Sequence, residues 1–199
     1  MSLFKNKKEP TPIILEPKPR PLKDLLSALL TLVLMVAFVL FFLNYVGQRV
    51  QVDGSSMETT LQNEDQLIVD CFSYHFLRDP KRFEVVVFRL KDEPETYYVK
   101  RIIGLPGESV QIINSTIYIN GVAIDDPYCP SDGFTPGVAA ELIRLGEDEY
   151  FVMGDNRNNS TDSRSSRLGP IKKEQMVGRA IYRILPLDKR GSLVPEVEP

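Results

Sequence analysis

The chain has 199 residues, of which 43% are apolar and 26% charged, with a formal net charge of −3. That is one domain with room for an appendage, apolar enough to build a core and too apolar for a disordered chain. Dispersed basic residues leave no nucleic-acid footprint; one histidine (His75) excludes a multi-histidine metal centre, and two distant cysteines (Cys71, Cys129) argue against a thiol-ligated one, so no metal or cofactor is expected.

Residues 1–24 form a polar, proline-rich tail with Lys5, Lys7, Lys8, Lys18, Arg20 and Lys23, read as extended or disordered. Residues 25–43, LLSALLTLVLMVAFVLFFL, carry no charge, glycine or proline. Nineteen helical residues span roughly 28 Å, close to the hydrocarbon thickness of a bilayer. A core helix would carry a polar stripe, and only Ser27 and Thr31 are polar here. A cleaved signal peptide would have small residues after its apolar run, whereas NYVGQRV follows this one. The segment therefore reads as an uncleaved transmembrane helix. Six basic residues precede it and only Arg49 follows within a dozen residues, which places the N-terminus in the cytoplasm and residues 46–199 outside.

The outer portion shows no convincing helix. QRVQV (48–52), QLIVDCF (66–72), EVVVFRL (84–90), TYYVKRIIG (96–104), SVQII (109–113), STIYING (115–121), EYFVMG (149–154) and GRAIYRILP (178–186) read as short strands, rich in Val, Ile, Tyr and Phe and bounded by turn residues. Hairpin turns are expected at Asn114-Ser115 and Asn120-Gly121, and a long loop over 125–148. The fold class is thus mainly β: one N-terminal transmembrane helix followed by an antiparallel sandwich or barrel-like domain. The two cysteines leave room for one disulfide in an oxidising compartment, and their pairing stays open.

Three polar stretches could carry chemistry. VDGSSMETTL (52–61) follows a strand, and Gly54 permits a tight turn that would expose Ser55 or Ser56; it also reads as an ordinary serine-rich turn. YYVKRIIGLPGE (97–108) sets Lys100 inside an apolar run. GDNRNNSTDSR (154–164) holds eleven residues without a large apolar side chain and reads equally as a solvated loop pinned by Asp162 and Arg164. His75, among aromatics, reads as a partly buried structural histidine, so a serine here would need another base. A neutral lysine can serve, provided burial lowers its pKa from near 10.4 by two to three units, at a cost of roughly 3 to 4 kcal/mol. Alternation puts Lys100 with Tyr98 and Ile102 on one face of the strand and Val99, Arg101 and Ile103 on the other, without saying which face is inside.

Together, in this order and behind an N-terminal membrane anchor, the three stretches resemble type I signal peptidases. GSSMETTL is similar to that family's nucleophile box, where the serine directly precedes methionine, which selects Ser56. YYVKRIIGLPGE is similar to the lysine box, implying Lys100 as general base. GDNRNNSTDSR is similar to the third signature, implying that Ser160 orients the lysine amine while Asp162 and Arg164 form a structural ion pair. The implied fold is the largely β Ser-Lys protease fold. The implied substrates are secretory precursors with small residues at −1 and −3 of the cleavage site, met at a bacterial cell membrane or a thylakoid membrane. Val52, Gly54, Met57, Leu61, Leu67 and Val99 flank the boxes and are candidates for the substrate pockets. The chain departs from the family pattern at Thr59 (usually proline), at Glu64-Asp65 (usually Gly-Asp), at Glu108 (more often Asp) and at Gly54, where some members carry a serine that donates to the oxyanion hole. Two other readings compete: a self-cleaving repressor of similar fold, against which residues 1–43 argue, and a catalytically silent membrane-anchored binding module for signal peptides or assembly partners.

Overall fold

An unbroken apolar segment must satisfy its backbone within itself, and in the computed structural model it does so as helix α1 (Pro21–Tyr45). Residues 21–45, 47–128 and 133–195 are described; the tail up to residue 20 and Cys129 lie outside them. Leu22–Phe42 is long and apolar enough to cross a membrane, and its leucines and phenylalanines are exposed along its length. The chain divides into two units, residues 1–39 and 40–199.

The second unit is built from antiparallel ladders. One sheet takes the order β1 (Gln48–Gln51), β2 (Gln66–Asp70), β11 (Met176–Leu185), β3 (Val85–Leu90), β4 (Glu93–Gly104), β9 (Glu149–Met153) and β10 (Ile171–Lys172), with β12 (Gly191–Ser192) on β11. A smaller sheet runs β7 (Val122–Ala123), β6 (Thr116–Ile119), β5 (Ser109–Ile113) and β8 (Ile143–Arg144). The β5–β6 turn has positive φ at Asn114 and Ser115, and the β6–β7 turn at Asn120 and Gly121, the backbone that two-residue hairpins require. The two-residue strands β7, β8, β10 and β12 are too short to leave an alternation signal, so the sequence does not announce them.

The expectation of no helix beyond the membrane segment is corrected by α2 (Ser73–Phe76) and by 3₁₀ turns at 137–140, 173–175 and 187–189. At α2 the cause is local. The Asp70 carboxylate accepts from the Phe72 and Ser73 N–H groups at 3.1 and 3.0 Å and from the Ser73 hydroxyl at 2.5 Å, turning the end of β2 into a helical turn. Four residues are too few for helical periodicity to show.

The middle strand β3 divides the core. Val85 and Val87 join Val50, Val52, Met57, Leu61, Leu67, Val69 and Val99 on one side, while Val86 and Phe88 join Ile102, Tyr150, Val152, Ile171 and Met176 on the other. A strand covered on both faces reads as a continuous apolar run, which is what VVVF is. The next strand, β4, pairs with β3 along its length, but with β9 only from Arg101 to Gly104. Residues 93–100 therefore present one unpaired edge.

Candidate active site

The nucleophile candidate sits on an excursion between β1 and β2. Its neck is closed by Val52 N–H donating to Asp65 O at 2.9 Å and Glu64 N–H to Val52 O at 2.8 Å. Within it Gly54 adopts φ +97°, a left-handed backbone that favours glycine, and its N–H donates to Asn63 Oδ1 at 2.8 Å. The chain then coils: Glu58 N–H donates to Ser55 O (3.0 Å) and Leu61 N–H to Met57 O (2.7 Å). Met57 and Leu61 are sunk in the core at 1% and 0% exposure and anchor this coil, leaving Ser56 at its rim.

The loop after β9 clamps the turn. Asn156 N–H donates to Ser56 O at 3.1 Å, Asn156 Nδ2 to Ser55 O at 3.1 Å, and Asn159 Nδ2 to Ser55 Oγ at 2.8 Å. Gly154 makes the approach feasible: a Cβ there would lie 2.3 Å from Ser56 O and 2.3 Å from Ser160 Oγ. The clamp also distinguishes the two serines. The Ser55 hydroxyl is held by an amide, whereas Ser56 Oγ lies 2.7 Å from Lys100 Nζ.

Lys100 lies opposite Val86 in the β3–β4 ladder and is only 4% exposed. Alternation offered one solvated face, but Lys100 and its neighbour Arg101 are both buried, because this part of β4 is covered on both sides. Nζ also reaches Val99 O at 3.1 Å. Among the described residues no carboxylate lies within ion-pair distance of it. Burial drives the Lys100 pKa down to about 8 from 10.5, against the opposing pull of the Asp162 and Asp155 charges.

Those two carboxylates are each gripped by an arginine. Arg164 donates Nε to Asp162 Oδ1 (2.9 Å) and Nη2 to Asp162 Oδ2 (2.8 Å), and also reaches Arg157 O and Thr135 O. Burial alone would raise the Asp162 carboxyl; the Arg164 guanidinium and the Gly154 N–H overcome this and hold it below its ordinary value. Arg101, 1% exposed, donates Nε and Nη2 to Asp155 at 2.8 and 2.6 Å and Nη1 to Phe83 O at 2.7 Å. Asp155 Oδ2 in turn accepts from Thr60 Oγ1 at 2.5 Å, tying the coil of Ser56 to the same pair.

Ser160, which the resemblance implies orients the lysine amine, lines the same cleft as Lys100. Its hydroxyl is buried and, among the described residues, makes no hydrogen bond to Lys100 or to another group, although it lies near enough to Asp162 to favour that group's charged form.

A cleft of about 530 Å³ opens over Ser56 and Lys100, lined on one wall by Val52, Gly54 and Met57 and on the other by Thr96–Val99. Of the six pocket candidates, Val52, Gly54, Met57 and Val99 line it. Leu61 and Leu67 do not: both are fully buried among the core residues, since side chains that alternate inward on an anchored coil and on β2 point away from the cleft. His75 is also corrected. It is exposed on α2, with Nδ1 2.7 Å from Cys71 O, and lines a separate cavity. Sequence reasoning missed Gly154, Asn156, Asn159 and the Arg101–Asp155 pair; the small-and-amide character of GDNRNN was the available signal for the first three.

The departures have a backbone meaning. Thr59 has φ +89° and Glu64 φ +69°. A proline, fixed near −65°, does not fit position 59 as it stands, and glycine would sit at 64 without strain.

The structure thus sets a serine hydroxyl against a buried amine over a cleft edged by unpaired strand. Comparison with known proteins identifies the family. The family described as "Signal peptidase, peptidase S26" matches residues 24–185. The "Probable signal peptidase I-2" of Synechocystis is 36% identical over 173 residues, 84% of this chain and 77% of that protein. "Signal peptidase I" of Bacillus amyloliquefaciens is 36% identical over 165 residues, 79% of this chain and 86% of that protein. A solved signal peptidase I from Enterococcus faecalis is 31% identical with a TM-score of 0.43, covering 51% of this chain and 97% of that one. The chain belongs to the signal peptidase family of peptidases.

Proposed function

We propose that the protein removes signal peptides from secreted precursors, cleaving after small residues at −1 and −3, with Ser56 as nucleophile and Lys100 as its base. The observation that carries this is the 2.7 Å approach of Ser56 Oγ to an amine that is 4% exposed and paired with no carboxylate among the described residues. Neutral Lys100 takes the Ser56 proton as Oγ bonds to the scissile carbonyl carbon. The resulting ammonium gives that proton to the leaving amine as the C–N bond breaks and an acyl-enzyme remains. The amine then deprotonates a water, whose oxygen displaces Ser56 Oγ, and the proton returns to the serine. Ser56 N–H, which has no acceptor among the described residues, supplies a donor to the developing oxyanion. Gly54 offers no side-chain donor.

The unpaired edge of β4 at 96–100 supports the substrate geometry. An extended peptide can add there as a strand, its alternate side chains falling toward Val52, Met57 and Val99. Ser160, Asp162 and Arg164 act as support: the ion pair fixes the loop that clamps Ser56, and Ser160 fills the space beside Gly154. α1 anchors the enzyme in the bilayer that carries the signal helices, which raises the local concentration of cleavage sites. The charge asymmetry about it puts the tail in the cytoplasm and residues 46–199 on the far side of a bacterial or thylakoid membrane.

The test is cleavage of a precursor by the full chain in detergent. Ser56→Ala is expected to lower the rate by at least about 10⁴-fold with an unchanged circular dichroism spectrum. Turnover near the native rate would exclude Ser56 as the nucleophile.

A further inference from the structure

Attack by Ser56 Oγ turns the scissile carbonyl oxygen into an oxyanion, and the Ser56 N–H meets only one of its lone pairs. Gly54 brings no side chain, and its left-handed backbone at φ +97° would strain any residue that carried one. The residue between them has the group that Gly54 lacks. Ser55 lines the cleft over Ser56 and Lys100, and its hydroxyl oxygen accepts from Asn159 Nδ2 at 2.8 Å. A hydroxyl both accepts and donates. The bond from Asn159 occupies a lone pair, and among the described residues no acceptor takes the hydroxyl hydrogen.

The backbone on either side of that hydroxyl is fastened. Gly54 N–H is held by Asn63 Oδ1 at 2.8 Å, and the Ser55 carbonyl accepts from Glu58 N–H at 3.0 Å and Asn156 Nδ2 at 3.1 Å. The Ser56 carbonyl accepts from Asn156 N–H at 3.1 Å. One torsion is left to the Ser55 side chain, and Asn159 sets it; Asn159 is itself tied by its N–H to Asn156 O at 3.0 Å. Four covalent bonds separate Ser55 Oγ from the Ser56 nitrogen, so the two lie within about 5 Å of each other. At that spacing both can reach a single oxygen at hydrogen-bond length. The amide that donates to Ser55 Oγ also polarises its O–H, which makes the hydroxyl a stronger donor.

We propose that the Ser55 hydroxyl is the second donor to the oxyanion, converging on it with the Ser56 N–H, and that Asn159 is the positioning residue that aims it. As Ser56 Oγ bonds to the carbonyl carbon, the electron pair of the C=O π bond moves onto oxygen. Both hydrogens bond to that oxygen and neither is transferred, and the pair returns to the C=O bond when the leaving amine departs. Because the turn and the side chain are set beforehand, the donor needs no reorganisation as the charge develops. The two adjacent serines thus divide the work: one forms the covalent bond, the other stabilises the charge that the bond creates. The inference rests on Ser56 as the nucleophile of the proposed function.

Steady-state cleavage of a precursor by the full chain in detergent tests this. Ser55→Ala should lower kcat by roughly 10²-fold with KM little changed, because the hydroxyl acts on the transition state. The pH midpoint of kcat/KM, near 8 in the native enzyme, should stay where it is, since the Ser56–Lys100 pair is untouched. Ser55→Cys, close in size but a weak donor, should fall as far as Ser55→Ala, whereas Ser55→Thr, which keeps the hydroxyl, should recover most of the rate. Asn159→Ala should lose less, and the double variant Ser55→Ala/Asn159→Ala should be no slower than Ser55→Ala alone, because Asn159 acts through that hydroxyl. A native kcat in Ser55→Ala or Ser55→Cys overturns the proposal and leaves the second donor to the backbone. So does a loss as deep as that of Ser56→Ala, which would make Ser55 a reacting group. A displaced pH midpoint, or losses that add in the double variant, would reduce Ser55 to a prop of the turn. An inactive Ser56→Ala beside a native Ser55→Ala sinks this inference alone, whereas an active Ser56→Ala sinks the proteolytic reading beneath it.

Discussion

Replacing Lys100 with methionine keeps the length and apolar stem of the side chain and removes the ammonium. The native amine titrates near 8 instead of 10.5, a difference worth about 3 kcal/mol between its charged and neutral forms. The folded pKa lies below the unfolded one, which fixes the sign. Below pH 8 both states hold the proton and the native state bears the whole penalty. Between about 8 and 10.5 the unfolded chain alone holds it, so stability rises with pH, and above 10.5 the penalty is gone. Loss of the contacts to Ser56 Oγ and Val99 O takes back about 1 kcal/mol. Lys100→Met should therefore be inactive yet more stable than the native enzyme at pH 7 by about 2 kcal/mol, with that advantage lost before pH 10.5 and turned into a deficit of about 1 kcal/mol above it. Urea unfolding of both proteins at neutral and alkaline pH measures this. The same amine predicts that kcat/KM of the native enzyme climbs with pH along a limb whose midpoint lies near pH 8. A methionine variant less stable than native at pH 7, or an activity limb at the ordinary lysine value, would refute a desolvated base.

Two other substitutions test the loops that frame the pair. In Gly154→Ala the new methyl meets Ser56 O and Ser160 Oγ at 2.3 Å, which should cost roughly 1–3 kcal/mol of stability and, by displacing Ser56, about 10²-fold in kcat/KM; a variant with native kinetics would mean that the clamp does not position the serine. Glu64→Gly relieves a left-handed backbone at φ +69° and, after the entropy glycine adds to the unfolded chain, should raise the thermal midpoint by the equivalent of about 0.5 kcal/mol. A lowered midpoint would show that this backbone is not strained.

The eight strands read from the sequence all exist because each is an apolar run closed by turn residues, and the two hairpin turns carry their own backbone signal in Asn114-Ser115 and Asn120-Gly121. The reading stopped at β4. Alternation assigns side chains to two faces but cannot reveal that β9 and the packing around it cover both, so the burial of Lys100 and Arg101 together appears only in three dimensions. Leu61 and Leu67 show the converse limit: proximity in sequence to a motif placed them near the cleft, whereas packing gives them to the core. The clamp was hidden for another reason. Asn156 and Asn159 reach Ser55 and Ser56 across about a hundred residues of chain, and an isolated amide looks the same whether it faces water or a partner.

Lys100 and Arg101 are consecutive cations with opposite fates. The guanidinium cannot shed its proton, so the fold gives it Asp155 in a two-pronged grip; a second arginine, Arg164, takes Asp162 likewise. The two negative charges that pull the lysine toward its ammonium form are thereby each paired with a cation, and burial overcomes what remains of that pull. The pair of arginines thus acts as a regulator of acidity that touches neither serine nor lysine. The pH range in which such an enzyme works can be retuned by loosening either grip, while the reacting groups themselves stay as they are.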